Sequence, residues 1–142
     1  MNFCSTKKSH TVLCGIFFGL VLIGADQLLK QIVLHIGIIR YMCNYGIAMG
    51  IILPRIVFIL FWIGLISVVI YFWLRHITKN FYIQLPYILM LAGGFGNIID
   101  RLYYGCVIDY IPFLHISLFN FADVFITVGA MIIIVQNWMI KE

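Results

Sequence analysis

The chain has 142 residues, of which 64% are hydrophobic and only 10% are charged. Soluble domains carry about 45–50% apolar and about 25% charged residues, so this chain has too few polar side chains to cover a water-exposed surface. The excess apolar residues must face lipid, which excludes a soluble enzyme, a nucleic-acid-binding module and a disordered chain. The net charge of +4 is therefore interpreted as a determinant of membrane topology.

Four long uncharged runs predict four membrane-spanning helices, because a helix needs about 20 residues to cross the hydrocarbon. The approximate spans are 11–29, 56–74, 80–99 and 122–140. The connections 31–54 and 101–120 contain Gly, Pro and Asn, and they are expected to form interfacial segments that include short strands or a re-entrant piece. We therefore expect a single all-α integral membrane domain over residues 1–142, with four transmembrane helices and small extracytoplasmic elements.

The distribution of charge sets the expected orientation of these helices. Basic residues favour one end by five to four, the end that holds Lys7, Lys8, Arg75, Lys79 and Lys141. Four of the five acids lie at the opposite end: Asp26, Asp100, Asp109 and Asp123. We therefore expect both termini in the cytoplasm and a cluster of acids at or just below the outer surface.

Two local patterns favour structural roles. Asp26 and Lys30 are four residues apart with the acid first, which favours an ion pair on one helix face over two solvated interfacial charges. The small residues at 92–96 favour close packing between helices.

Two further constellations leave alternatives open. Asn97, Asp100 and Arg101 fall on one helix face, where they form either a structural hydrogen-bond network or a surface that contacts substrate. Asn120 and Asp123 are three residues apart at the start of the fourth span, a spacing typical of an N-cap with an acid in the first turn. Capping does not account for Asp109, which lies in an irregular apolar stretch.

No motif indicates a metal site or a serine nucleophile. The chain contains neither His-x-x-Glu-His nor Gly-x-Ser-x-Gly. The cysteines have no CxxC or CxxH spacing, so they are interpreted as small apolar residues: Cys4, Cys14, Cys43 and Cys106.

Five short blocks together resemble bacterial lipoprotein signal peptidases, the signal peptidase II family. They occur in the family's order over about residues 11–140, at 26–30 (DQLLK), 44–48 (NYGIA), 96–101 (GNIIDR), 107–110 (VIDY) and 119–123 (FNFAD). Each block alone is weak, but five in order on a four-span frame make a specific match.

The resemblance implies an aspartyl endopeptidase of the bacterial inner membrane whose active site faces the periplasm. Such an enzyme removes the signal peptide from a diacylglyceryl-modified prolipoprotein by cleaving before the lipidated cysteine. It uses no metal or other cofactor and binds no nucleic acid. Its partners are this substrate and membrane lipids, and we expect it to act as a monomer.

The matched positions imply a catalytic pair, Asp109 and Asp123. Two neighbouring carboxylates can share a proton, so that one activates water while the other protonates the scissile carbonyl. We expect Asp123, in the first turn of a helix, to be ionised and Asp109, among apolar residues, to be protonated. The other matched residues are implied to line or support the site: Asn44, Asn97, Arg101, Asn120, Asp26, Lys30 and Asp100.

Two other classes of protein are compatible with a small four-span chain. One is a transporter or channel subunit whose clustered acids bind protons or cations. The other is a purely structural assembly factor. A transporter should place charge along a path through the bilayer, whereas here the interior of every span is nearly free of charge.

Overall fold

Helices dominate the computed structural model, which describes residues 3–37, 40–46, 55–77, 80–113 and 117–139. The helices in this part of the chain are α1 (Phe3–Ile36), α2 (Arg55–Arg75), α3 (Phe81–Tyr103) and α4 (Phe121–Met139). The strands, each three residues long, are β1 (Met42–Asn44), β2 (Val107–Asp109), β3 (Ile111–Phe113) and β4 (Ser117–Phe119).

Three of these helices are long and apolar enough to cross a membrane: α1 over His10–Ile36, α3 and α4. In α2 the described apolar stretch is shorter, Leu60–Arg75. The mostly helical membrane architecture expected from composition is therefore confirmed at this level. The first helix continues beyond the predicted end at residue 29, and residue 140, the predicted end of the fourth span, lies outside the described residues.

The α3 helix forms the centre of the molecule, because it packs against α1, α2 and α4. In the most apolar stretch of α3, 56% of the residues are buried, whereas the corresponding stretches of α1 and α4 are 11% buried. Helices α1 and α4 thus leave most of their apolar surface for lipid, whereas α3 is enclosed by its neighbours.

Two glycines of α3, Gly93 and Gly96, permit the close approach of neighbouring helices. A Cβ at Gly93 would overlap the backbone carbonyl of Ala122 in α4, whereas a Cβ at Gly94 would lie at an ordinary contact distance of 3.6 Å from Ile66 in α2. A Cβ at Gly96 would lie 2.7 Å from Asp26 Oδ2 in α1. The close helix packing predicted for residues 92–96 is therefore confirmed, and the glycines let backbone and polar groups of different helices meet.

Both long connections contain short strands, one of the two alternatives expected for them. Strand β1 pairs antiparallel with β2, with Cys43 opposite Ile108 and Asn44 opposite Val107. Strands β3 and β4 form a second antiparallel pair. The first pair brings the connection after α1 against the connection after α3.

The interpretation of the cysteines as small apolar residues is wrong for Cys43 and Cys106. These two form a disulfide, with a Cα–Cα distance of 5.5 Å, whereas Cys14 is a free, exposed thiol. The two bonded cysteines are 63 residues apart, so no local spacing motif marks them. Only the pairing of β1 with β2 brings them together.

The role of Gly93 is testable by substitution. Gly93→Ala should lower the stability of the detergent-solubilised protein by about 1–3 kcal/mol, because the methyl group forces α3 away from the Ala122 carbonyl. Gly64→Ala in α2 is the matched control, since a Cβ there meets nothing within 4 Å and alanine favours the helix. Thermal unfolding measures both variants, and equal melting temperatures would contradict the packing role.

Candidate active site

Polar residues from the helices and strands converge on a cavity of about 420 Å³. Its polar lining includes Asn44, Asn97, Arg101, Asp109 and Asp123. Its apolar lining includes Phe61, Trp62, Leu65 and Ile126 from α2 and α4. Five of the sequence-predicted site residues therefore face one space, with an apolar wall beside them.

Asp109 ends strand β2 and is almost fully buried, with 2% of its surface exposed. Its Oδ1 accepts a hydrogen bond from Asn120 Nδ2 at 2.7 Å, and its Oδ2 accepts one from Asn44 Nδ2 at 2.9 Å. Burial raises the pKa of Asp109 to about 6, and the nearby charge of Asp123 also raises it, while the two amide hydrogen bonds lower it. Loss of hydration therefore outweighs the hydrogen bonds and favours the protonated form.

Asp123 lies in the first turn of α4, where a reciprocal cap fixes the helix start. The Asp123 backbone N–H donates to Asn120 Oδ1 at 3.0 Å, and the Asn120 N–H donates to Asp123 Oδ2 at 3.3 Å. The predicted capping pair is confirmed. This cap fixes the position of the Asp123 carboxylate at the start of α4.

Two buried amides join the carboxylates into one network. Asn120 Nδ2, besides its bond to Asp109, donates to Asn97 Oδ1 at 3.2 Å. Asn97 Nδ2 in turn donates to Asp123 Oδ1 at 2.8 Å. Asn120 thus bonds to both candidate acids directly, and Asn97 extends the link to α3.

Arg101 joins the cavity to the segment after β1. Its Nη1 donates to the Asn97 carbonyl at 3.2 Å, and its Nη2 donates to the Gly46 carbonyl at 3.1 Å. The guanidinium also lies over the Trp62 ring, 5.5 Å from its centroid. Arg101 is therefore a fixed positive charge in the lining of a cavity that also contains two acids.

A buried ion triplet, Lys30 with Asp26 and Asp100, lies next to this network. Lys30 Nζ lies 2.7 Å from Asp26 Oδ2 and 2.8 Å from Asp100 Oδ2, and all three side chains are at most 1% exposed. Lys30 also donates to Asn97 Oδ1 at 3.4 Å. The predicted ion pair of Asp26 and Lys30 is confirmed, and the alternative of solvated interfacial charges is wrong because burial removes these groups from water.

Each acid of the triplet also binds the backbone next to one candidate catalytic acid. Asp26 Oδ1 accepts from the Ala122 N–H at 3.0 Å, immediately before Asp123. Asp100 Oδ2 accepts from the Ile108 N–H at 3.1 Å, immediately before Asp109. The two alternatives for Asn97, Asp100 and Arg101 therefore apply to different residues. Asp100 is enclosed in the hydrogen-bond network, whereas Asn97 and Arg101 line the cavity, where a substrate can contact them.

Sequence reasoning assigned no role to two residues of this region. Gln27 Nε2 donates to Asp100 Oδ1 at 2.8 Å and to the Gly96 carbonyl at 3.1 Å, which fastens α1 to α3. Trp62 lies under Arg101 on the apolar wall. The sequence could have indicated Gln27, because it is a polar residue next to Asp26 in a predicted span. It could not have indicated Trp62, which is one of many aromatic residues in the spans.

No group of three or more His, Cys, Asp and Glu side chains within the described ranges is placed to hold a metal ion. The acidic side chains there are bonded to amides, backbone N–H groups and Lys30 instead.

Fold and site together define a helical, multi-pass membrane protein with an acidic cavity where short strands meet the helices. The chain belongs to the signal peptidase (SPase) II family, whose family model matches residues 18–139.

Named relatives agree with this assignment. The chain is 38% identical over 105 residues to the lipoprotein signal peptidase of Wigglesworthia glossinidia brevipalpis, which covers 68% of this chain and 67% of the relative. It is 32% identical over 139 residues to that of Streptococcus pneumoniae, covering 87% and 90% of the two chains. A bacterial membrane enzyme solved by the in meso method at 2.3 Å superposes with a TM-score of 0.80 and 26% identity, covering 91% of this chain and 90% of that one.

The ion triplet predicts a variant that loses stability more than activity. Asp26→Asn keeps an oxygen for the Ala122 N–H but removes one of the two anions that compensate buried Lys30. We expect a lower melting temperature in detergent and a smaller loss of turnover per folded molecule. A folded but inactive Asp26→Asn variant would instead place Asp26 in the reaction.

The raised pKa of Asp109 predicts a pH-dependent stability difference. Because its pKa rises from 3.8 unfolded to about 6 folded, the wild type loses stability relative to its unfolded state as pH rises through about 6. Asp109→Asn does not titrate, so its melting temperature relative to wild type should increase from about pH 4 to about pH 7. A difference that stays constant over this range would contradict the burial effect at Asp109.

Proposed function

We propose that this chain is an aspartic endopeptidase that removes the signal peptide from diacylglyceryl-modified prolipoproteins by cleaving before the lipidated cysteine. Membership of the signal peptidase II family and relatives named lipoprotein signal peptidase support the substrate class. The observation that carries the chemistry is that Asn120 hydrogen-bonds both Asp109 and Asp123 at one cavity.

The two carboxyls have different environments, which supports different roles. Asp123, at the positive end of α4, is the ionised partner that takes a proton from the attacking water. Burial raises the pKa of Asp109 to about 6, so this carboxyl takes up a proton more readily than a solvated aspartate, and in that form it donates a hydrogen bond to the scissile carbonyl. Because the two acids interact, their titration belongs to the pair.

The reaction then needs one further proton transfer. Attack of water on the carbonyl gives a tetrahedral intermediate, and the proton taken by Asp123 passes to the leaving amine as the peptide C–N bond breaks. Arg101 offsets negative charge in the cavity, and Asn44, Asn97 and Asn120 hold the acids in place. Asp26, Lys30 and Asp100 act through the backbone as supporting residues.

The apolar wall of the cavity is suited to binding an apolar substrate. Side chains from α2 and α4 form this wall next to the acids: Phe61, Trp62, Leu65 and Ile126. A lipid-modified residue and the apolar part of a signal peptide can bury their surface there while the peptide bond reaches the carboxyls. Much of the remaining surface of α1 and α4 is apolar and exposed in the isolated chain, as expected for a monomer surrounded by membrane lipids.

We place the chain in the bacterial inner membrane as one domain over residues 1–142 with four spans, near 11–29, 56–74, 80–99 and 122–140. The 21 residues of α2 make a helix of about 31 Å, close to the thickness of the hydrocarbon core. The Cys43–Cys106 disulfide lies at the cavity end, and disulfides persist in oxidising compartments. The length of α2 supports a fourth span, and the disulfide supports an active site that faces the periplasm. With an even number of spans, both termini then lie on the cytoplasmic side.

A four-span transporter or channel subunit is not favoured. The acids are grouped at one end and engaged in hydrogen bonds, and they do not mark a path along the spans. The two relatives named above are lipoprotein signal peptidases.

The catalytic assignment predicts two inactive variants. Asp109→Asn and Asp123→Asn should each reduce cleavage of a diacylglyceryl-modified prolipoprotein peptide to background, because an amide keeps the shape but cannot exchange the required proton. Thermal unfolding and gel filtration of each variant serve as the control for folding. Near-normal turnover by either folded variant would refute the assignment.

The orientation predicts the location of fused reporters. A reporter after Glu142 or within 75–80 should be cytoplasmic, and one within 101–120 should be external. A reporter pair active on opposite sides of the membrane, such as alkaline phosphatase and green fluorescent protein, measures this. The reverse pattern would turn the acids toward the cytoplasm and rule out processing of exported lipoproteins.

A further inference from the structure

The Cys43–Cys106 disulfide borders the candidate active site on both of its strands. Cys43 immediately precedes Asn44, whose side chain donates to Asp109 Oδ2 at 2.9 Å. Cys106 lies three residues before Asp109, next to the start of β2. The bond therefore joins the backbone that carries Asn44 to the backbone that carries the acid it contacts.

The two cysteines differ in burial. Cys106 is fully buried and belongs to an apolar cluster with Val33, Ile108 and Tyr110. Cys43 is only partly buried at the edge of the same cluster, and its strand is paired over just three residues. The disulfide thus transfers the rigidity of the core to a short strand that has little packing of its own.

We propose that the Cys43–Cys106 disulfide is a positioning device for the peptidase reaction, which holds Asn44 against Asp109 so that full activity requires the oxidised form. This inference rests on the proposed function. Cys43, Cys106 and Asn44 are positioning residues, because they act on the reaction through the carboxyl of Asp109.

The redox chemistry is a two-electron exchange. When the bond forms, the two thiols lose two protons and two electrons, and a disulfide-bearing oxidant is reduced to its dithiol. A dithiol reductant such as dithiothreitol reverses this, because its own ring disulfide forms as both cysteine thiols are restored. The periplasm is an oxidising compartment, so the proposed location of the site provides for the oxidised form.

Opening the bond should change Asp109 in a recognisable way. Asp109 would lose one of its two amide hydrogen bonds and keep that of Asn120, while Asp123, Lys30 and Arg101 remain as the charges around the pair. The hydrogen bond from Asn44 favours the ionised form of Asp109. Its loss should therefore shift the pH profile of kcat, which reports the titration of the acid pair, toward higher pH.

The first experiment compares oxidised and dithiol-treated enzyme on a diacylglyceryl-modified prolipoprotein peptide. Reduction, verified by thiol alkylation and mass spectrometry, should lower kcat by about tenfold to a hundredfold with a smaller change in KM, as expected for a misplaced catalytic group. Cys43→Ala/Cys106→Ala should show the same loss and no response to dithiol. Cys14→Ala, which removes the exposed thiol, is the matched control and should behave as wild type.

The second experiment asks whether the disulfide acts through Asn44. Asn44→Ala should lower kcat by a similar factor, and combining it with the double cysteine variant should add no further loss. Losses that multiply would overturn the proposal. So would unchanged kcat in fully reduced enzyme, or reduced enzyme that unfolds, since the bond would then serve folding alone.

These outcomes are separate from failure of the proposed function. If oxidised wild type does not cleave the peptide, the peptidase assignment fails, whereas active oxidised enzyme that is insensitive to disulfide loss overturns only the positioning role. If the double cysteine variant does not fold, the reduced wild type and Asn44→Ala still decide the question.

Discussion

A single buried ammonium group organises this molecule. Lys30 Nζ lies within 2.8 Å of carboxylates from α1 and α3, and none of the three groups has access to water. A buried charge without partners is costly, so arrangements that separate these helices are strongly disfavoured. The same carboxylates accept the backbone N–H groups of Ala122 and Ile108, so the constraint reaches the start of α4 and strand β2. The ion triplet therefore helps to hold the backbone immediately before each proposed catalytic acid.

Close approach of the helices to α3 accompanies the ion triplet. Gly93 and Gly96 face α4 and α1, and a Cβ at either position would overlap atoms of those helices. Close packing at Gly96 brings Asp26 beside α3, where Gln27 and Lys30 reach Asp100. The close packing at Gly96 thus places the charged groups of α1 and α3 near enough to pair.

Much of this arrangement could be predicted from local patterns. The spacing of Asp26 and Lys30 predicted their ion pair, and that of Asn120 and Asp123 predicted the cap, because both depend on a few residues of one helix. The disulfide depends on strand pairing between segments 63 residues apart, so spacing gave no indication of it. The first helix extends past its predicted end at residue 29, because the charge of Lys30, which ends the uncharged run, is compensated inside the protein.

The cap of α4 illustrates how function narrows the choice of residue. At most N-caps, Asn, Asp, Ser and Thr are interchangeable, because each offers an oxygen to the first-turn N–H groups. Here the amide nitrogen of Asn120 also donates to Asp109. An aspartate would cap the helix equally well but would place a third carboxylate beside the pair, and the shorter serine or threonine side chains lack the amide donor. Under the proposed function, this helix start therefore needs a side chain that offers both a capping oxygen and an amide donor, a demand that helix stability alone does not make.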